Sequence, residues 1–176
     1  QTADIVFAFN DEMAYGAYLA QKQYRVSENE EESIKLARNF ITGKIYNSRW
    51  ILERAIRDYP LRIDVDKVKA KSVFLYQSLD SVRTCENSAT LLGLEGEAAS
   101  VYFSVFDELI LQQKETFYFH GRNKRPPLDC VNAMLSFAYS LLAGMCGAAL
   151  EAVGLDPYVG FYHTDRPGRM SLALDL

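Results

Sequence analysis

Four side chains have the types and settings that metal-assisted chemistry requires: Glu95, Glu97, His163 and Asp175. On helical spacing Glu95 lines up with Ala99, Tyr102 and Phe106, an apolar face, whereas Glu97 lines up with Ser100, Ser104 and Glu108. Glu95 is therefore expected to point inward and Glu97 toward water. An inward carboxylate is costly unless a cation or donors meet it. A core Arg or Lys is the ordinary partner, and a metal ion is the alternative. His163 follows Gly160-Phe161-Tyr162 at the edge of an apolar segment, where a hydrogen-bonded structural histidine is the commoner role. Asp175 is embedded in Leu172-Ala173-Leu174-Asp175-Leu176, and backbone donors could cap it there. Taken together, Glu95, His163 and Asp175 form a hard donor set suited to Mg²⁺ or Mn²⁺, with positions left for water and phosphate. A structural zinc site would instead want cysteines at close spacing. A hard ion of this kind polarises a phosphodiester and orients an attacking hydroxyl for in-line displacement. Sequence spacing alone does not bring the three together.

Basic residues supply the complementary feature. Gly121-Arg122-Asn123-Lys124-Arg125-Pro126-Pro127 is a compact cationic loop ahead of an apolar helix. Arg122 and Arg125 could fork onto phosphate oxygens, and Lys124 could add a point charge. The other reading is a solvated loop pinned by its prolines. Arg166 and Arg169 flank Pro167-Gly168, between His163 and Asp175, and could hold phosphate or merely keep a turn soluble. The formal net charge of −4 hides this segregation. Residues 35–71 hold ten Lys and Arg against four Asp and Glu, and residues 72–113 hold one against six. A basic block beside an acidic one suits a protein that holds phosphates in one place and a cation in another, although mixed solvated helix faces give the same tally.

The elements that must position these groups read mostly as helices. Residues 2–9, TADIVFAF, read as a short strand with Asn10-Asp11 as its turn. Ser27 precedes the acidic cluster Glu28 to Glu32, as a cap and dipole-matched first turn would. A helical stripe through Ile34, Ala37, Ile41, Ile45, Leu52 and Ile56 follows, with Gly43 a point of bending and Pro60 its stop. A second helix starts near Asp64, with Val68, Leu75, Leu79 and Val82 inward. A third spans about Glu86 to Gln113. Asp129 caps a helix from Cys130 toward Gly154, broken near Gly144 or Gly147. It is apolar nearly all round, as a helix at the centre of a bundle would be. Ser171 caps a last helix.

The chain has 176 residues, 49% apolar and 24% charged, enough for one domain with a real core. No run of 18 apolar residues and no signal segment is visible, so no membrane partner and a cytoplasmic location are expected. Cys85, Cys130 and Cys146 lack metal-type spacing and read as small buried hydrophobes in a reducing compartment.

Five stretches, in one order, carry a family resemblance. Ala17-Tyr18-Leu19-Ala20-Gln21-Lys22-Gln23-Tyr24-Arg25 is the first, and Gly43-Lys44-Ile45-Tyr46-Asn47-Ser48-Arg49 the second. Leu92-Gly93-Leu94-Glu95-Gly96-Glu97-Ala98-Ala99, with Tyr102-Phe103, is the third. Gly121 to Pro127 with Asp129-Cys130-Val131-Asn132-Ala133 is the fourth. Gly154-Leu155-Asp156-Pro157, Gly160-Phe161-Tyr162-His163 and Ser171 to Asp175 complete the set. Over residues 13–176 the chain resembles the CRISPR-associated integrase family (CRISPR-associated protein one), in the style of a type I-C-like system.

The resemblance implies a mainly α fold: the helical catalytic domain over 25–176, incomplete at its C-terminus, with residues 1–24 a strand remnant of a β-domain and a linker. It also implies a fragment. Most of the β-domain is absent, and the family places a further acidic residue three positions beyond the one matched by Asp175. By motif match, Glu95, His163 and Asp175 fall on metal-ligand and catalytic positions for Mg²⁺ or Mn²⁺. Arg122, Lys124, Arg125, Arg166 and Arg169 become candidate DNA contacts. The implied activity is CRISPR adaptation: a metal-dependent endonuclease and integrase joins the 3′-OH ends of a prespacer duplex to the CRISPR repeat by transesterification. The implied partners are DNA, a second copy in a homodimer, and the small ferredoxin-like CRISPR-associated protein. Two other readings stay open: a metal-dependent nuclease of branched DNA, and a non-catalytic assembly or DNA-binding fragment.

Overall fold

The computed structural model describes residues 11–163 and 166–176, and the side chains of all of these except 11–15 and 17. The strand reading of residues 2–9 lies outside them. Among the described residues every regular element is helical: α1 Asp11–Ser27, α2 Glu30–Asp58, α3 Val65–Thr84, α4 Ser88–Phe103, a 3₁₀ turn Phe106–Leu109, α5 Cys130–Ala152 and α6 Ser171–Asp175. The mainly α expectation holds. Asp11, read from sequence as part of a turn, opens α1, and α1 runs across the 24/25 division.

The chain forms two compact units whose boundaries fall within α2 and α5. Unit one takes α1, α2 through Ala37, and the chain from Ser140 onward; unit two is Arg38–Tyr139. In unit two, α2 contributes Ile41, Ile45 and Leu52 to the core, and α3 contributes Val68, Leu75, Leu79 and Val82, all buried. Each such side chain gains roughly 1.5–3 kcal/mol from leaving water. Two of the helix starts are chemically explicit: Asp64 accepts from the Lys67 amide at 3.0 Å, and Asn87 from the Thr90 amide at 3.0 Å.

Several local expectations change. The cap of α2 is Asn29, whose Oδ1 accepts from the Glu31 and Glu32 amides, while Ser27 closes α1 by donating to the Tyr24 carbonyl. Gly43 leaves α2 unbroken. The third helix stops at Phe103, short of Gln113. The apolar period continues past that point, so the stop is tertiary. Val105 drops fully into the core, and Phe103, Phe106 and Phe119 stack with centroids 4.9–5.8 Å apart. Asp107 then fixes the returning chain, accepting from the Phe119 amide at 3.0 Å.

Helix α5 is also unbroken through Gly144 and Gly147. It is not buried all round: Met134, Phe137, Leu141, Leu142 and Met145 are exposed. By length and composition alone, α5 is long and apolar enough to cross a membrane. An apolar periphery specifies which surfaces avoid water, but not what covers them. Cys85 is buried as expected, whereas Cys130 is exposed and Cys146 half-buried. Met170, not Ser171, precedes α6, and it makes no side-chain cap.

In unit one, Gly154 (φ +80°) ends α5 in a Schellman turn, with the Leu155 amide donating to Leu150 O at 2.9 Å and the Gly154 amide to Glu151 O at 3.0 Å. Buried Gln23 clamps α1 to the next turn. Its Nε2 donates to the carbonyls of Asp156 and Val159, each at 2.8 Å, and its Oε1 accepts from the Asp156 amide at 2.8 Å.

Phe119→Ala should open a void beneath the aromatic stack and cost roughly 3–4 kcal/mol. Urea unfolding followed by circular dichroism checks this; a loss under 1 kcal/mol would mean the stack does not hold the segment after α4.

Candidate functional site

His163 and Asp175 form a tight pair in unit one. Asp175 is 2% exposed, and its oxygens are held by the chain just before α6. Oδ2 accepts from the Phe161 amide at 2.8 Å and the Tyr162 amide at 3.1 Å, and Oδ1 accepts from the His163 amide at 2.9 Å. The His163 ring completes the set, with Nδ1 2.7 Å from Oδ1. An ionised carboxylate offers about four acceptor positions, and here four donors approach them. Asp175 thus engages the Nδ1 side of the ring and leaves Nε2 as the nitrogen it does not touch. A carboxylate bonded to the far ring nitrogen in this way fixes the direction of ligating histidines. Gly160 is required by the same packing: a Cβ there would lie 2.8 Å from Ser171 Cβ, 2.9 Å from His163 O and 3.2 Å from Asp175 Oδ2.

Glu95 lies in unit two on α4, with its side chain 18% exposed, while Glu97 is exposed, as the helical spacing requires. Its Oε1 stands 2.6 Å from Lys44 Nζ of α2. The ordinary partner weighed from sequence, a lysine, is thus present. Both groups line a cavity of about 80 Å³ with Ser48, Tyr102 and Tyr139. Burial first, then the neighbouring Tyr139, pushes the Tyr102 phenol up to about 12. Among the described residues, no group of three or more His, Cys, Asp and Glu side chains is spaced to hold a metal ion.

The basic loop divides by role. Arg122 is half-buried; its Nη1 donates to Asn123 O at 2.6 Å and Asn132 Oδ1 at 2.8 Å, and its guanidinium lies 5.6 Å from the Tyr139 ring centre. Lys124 and Arg125 are exposed. Near α6, Arg166 is exposed and Arg169 half-buried. The residue that organises the loop is Asn132, fully buried, whose importance its polar type inside an apolar helix could have signalled. Its Nδ2 donates to Gly121 O at 2.8 Å and Asp129 Oδ2 at 2.7 Å, and its Oδ1 accepts from the Asn123 amide at 3.0 Å as well as from Arg122. Asp129 caps α5 as expected, accepting from the Asn132 amide at 2.7 Å. Partial burial pushes the Asp129 carboxyl up, but the Asn132 and Asn123 donors outweigh it and hold the group below its usual value.

The family described as CRISPR associated protein Cas1 matches residues 2–176. The chain belongs to the Cas1 family. It is 47% identical over 158 residues to CRISPR-associated endonuclease Cas1 1 of Chlorobaculum tepidum, covering 90% of this chain and 46% of that relative. It is 42% identical to CRISPR-associated endonuclease Cas1 of Leptospira interrogans, covering 90% and 62%. Among solved structures, a Cas1 protein from Thermotoga maritima superposes with a TM-score of 0.72 at 27% identity over 92% of this chain and 46% of that one. A casposase bound to its integration product superposes with a TM-score of 0.71 at 28% identity, over 91% and 45%. The chain thus spans about half the length of most of the relatives described here.

Asn132→Ala removes both halves of a buried amide network and should cost roughly 2–3 kcal/mol. Hydrogen exchange should show selective loss of protection over residues 121–132; unchanged protection there would contradict the role assigned to the amide.

Tyr102 yields a pH prediction. Its folded value lies above the unfolded value near 10, so its contribution to stability is intact below pH 10 and is lost as pH rises toward about 12. Alkaline melts of wild type should therefore steepen between pH 10 and 12 relative to Tyr102→Phe. Parallel curves for the two would refute this.

Proposed function

We propose that this Cas1-family chain carries the helical catalytic part, over residues 25–176, of a CRISPR-adaptation integrase. Its reaction is transesterification: the 3′-hydroxyl of a prespacer strand attacks a phosphorus of the CRISPR repeat, and the repeat's own 3′-oxygen departs. Family membership supports the reading, and one geometric observation carries it: the His163 imidazole held from behind by the buried Asp175 carboxylate.

Glu95 and His163, with Asp175, are the residues we assign to a Mg²⁺ or Mn²⁺ ion. The residue types suit a hard ion: a half-buried carboxylate on α4, and an imidazole whose Nδ1 side is engaged by Asp175. When bound, such an ion supplies charge stabilisation at the phosphate and orients the attacking hydroxyl. Asp175 acts chiefly by aiming the ring, since its acceptor positions are filled; entering the coordination shell would mean giving up a backbone donor. Lys124, Arg125, Arg166 and Arg169 are assigned to backbone phosphates. Arg122 shapes the loop that presents Lys124 and Arg125. The proposed partners are duplex DNA with 3′-OH ends, a second copy of the chain, and the small ferredoxin-like CRISPR-associated protein. In this reading the exposed apolar face of α5 packs against protein rather than lipid.

Incubating the chain and its small partner with labelled 3′-OH duplex, a repeat-bearing plasmid and Mn²⁺ should yield joined product. Glu95→Ala and His163→Ala should each reduce it at least ~100-fold, the scale of losing a catalytic metal ligand. Shortened strands without joined product would indicate a nuclease instead. Joining undiminished by Glu95→Ala would remove the site assignment.

A further inference from the structure

The Arg49 guanidinium lies against aromatic rings. Its Cζ is 5.4 Å from the Trp50 ring centre and 5.1 Å from the Tyr76 ring centre, so it joins an aromatic of α2 to one of α3. The Arg49 side chain is 21% exposed, and its Nε is buried without a hydrogen-bond partner. Glu53 steadies it from one side. Glu53 Oε1 stands 3.7 Å from Arg49 Nη2, and the same oxygen accepts from the Ser72 hydroxyl and, at 2.9 Å, from Lys69 Nζ. The rings themselves are open to water. Tyr46 meets Trp50 edge-on with centroids 6.0 Å apart, and Tyr46, Trp50 and Tyr76 are 47%, 47% and 60% exposed.

Single exposed aromatics are ordinary, but three rings around one arginine on two helices make a flat, cationic surface. Two cues narrow what it can take. Trp, Tyr and Arg planes stack on flat partners, and unpaired nucleobases present a π-face whatever their identity. Residues 35–71, which include the α2 side of this surface, hold ten Lys and Arg against four Asp and Glu, an excess that draws a polyanion. A second copy of the chain would set that excess against itself. A duplex keeps its bases stacked on one another and leaves the rings no face to meet.

We propose that Tyr46, Trp50 and Tyr76, with Arg49 between the latter two, stack the unpaired bases of a single-stranded nucleic acid. Arg49 supplies the platform's charge, and Glu53 is a positioning residue that keeps the guanidinium between the rings. The platform shares no residue with the basic loop of residues 121–127 or with the His163–Asp175 pair. It holds strand without reading sequence and takes no part in bond breaking. The inference goes beyond the integrase reading and does not depend on it.

Trp50 is the chain's one tryptophan, so its fluorescence reports on this surface alone. Titrating the whole chain with a single-stranded oligothymidylate of about twelve nucleotides should quench that emission, and a blunt duplex of equal length should not. Anisotropy of the labelled strand then reads affinity. Trp50→Leu and Tyr76→Leu keep an apolar side chain on the helix but remove the ring, and each should weaken single-strand binding about tenfold, the scale of one lost base stack. Trp50→Phe and Tyr76→Phe keep a ring and should restore most of that loss, with helix content by circular dichroism unchanged in all four. Absent quenching, equal quenching by the duplex, or single-strand affinity indifferent to Tyr76→Leu overturns the platform. So does a loss in the phenylalanine variants as large as in the leucine ones. A Trp50 signal that follows protein concentration without nucleic acid assigns the surface to a second copy and likewise overturns the proposal. None of these outcomes bears on the joining assay, which reads the integrase proposal separately.

Discussion

A carboxylate withdrawn from water must find donors or a cation, and this requirement shapes the setting of three acidic side chains in the chain. The chain meets it in distinct ways. Asp175 is met by three consecutive backbone amides and an imidazole. Glu95 is met by an ammonium from a neighbouring helix. Glu53 is met by the Ser72 hydroxyl and the Lys69 ammonium, which together hold it below the usual carboxylate range despite its burial. The first solution is rigid because the backbone supplies it. The second is exchangeable, since a flexible side chain can leave.

Much of the scaffold was legible in the sequence because its cues are local. Asp64 and Asp129 act at helix starts as their type and position suggest, and Val68, Leu75, Leu79 and Val82 occupy the buried stripe that a 3.6-residue period picks out. The inward turn of Glu95 and outward turn of Glu97 followed from the same period. The misreadings share a physical reason. Ser27 and Asn29 are both good capping types two residues apart, and only the hydrogen bonds decide between them. Helix α4 ends because an aromatic stack and Asp107 capture a distant segment, which no local pattern encodes. The periphery of α5 is apolar whether or not anything covers it.

The basic loop illustrates how one composition hides two roles. Arg122, Lys124 and Arg125 look alike in sequence, yet the guanidinium of Arg122 is engaged by Asn123, Asn132 and Tyr139 while its neighbours face water. Asn132 makes that division possible by filling every donor and acceptor of its buried amide from one loop and one helix end. The loop is therefore a shaped presentation of two charges rather than a flexible basic tail.

The cradle around Asp175 carries an evolutionary consequence. Its donors at Phe161, Tyr162 and His163 are main-chain groups, which every amino acid but proline provides. The side chains at 161 and 162 can therefore drift while the imidazole keeps its bearing. Only Gly160, hemmed in by Ser171 and the carboxylate, is denied that latitude. Side-chain identity and the hold on the carboxylate are thus uncoupled at positions 161 and 162.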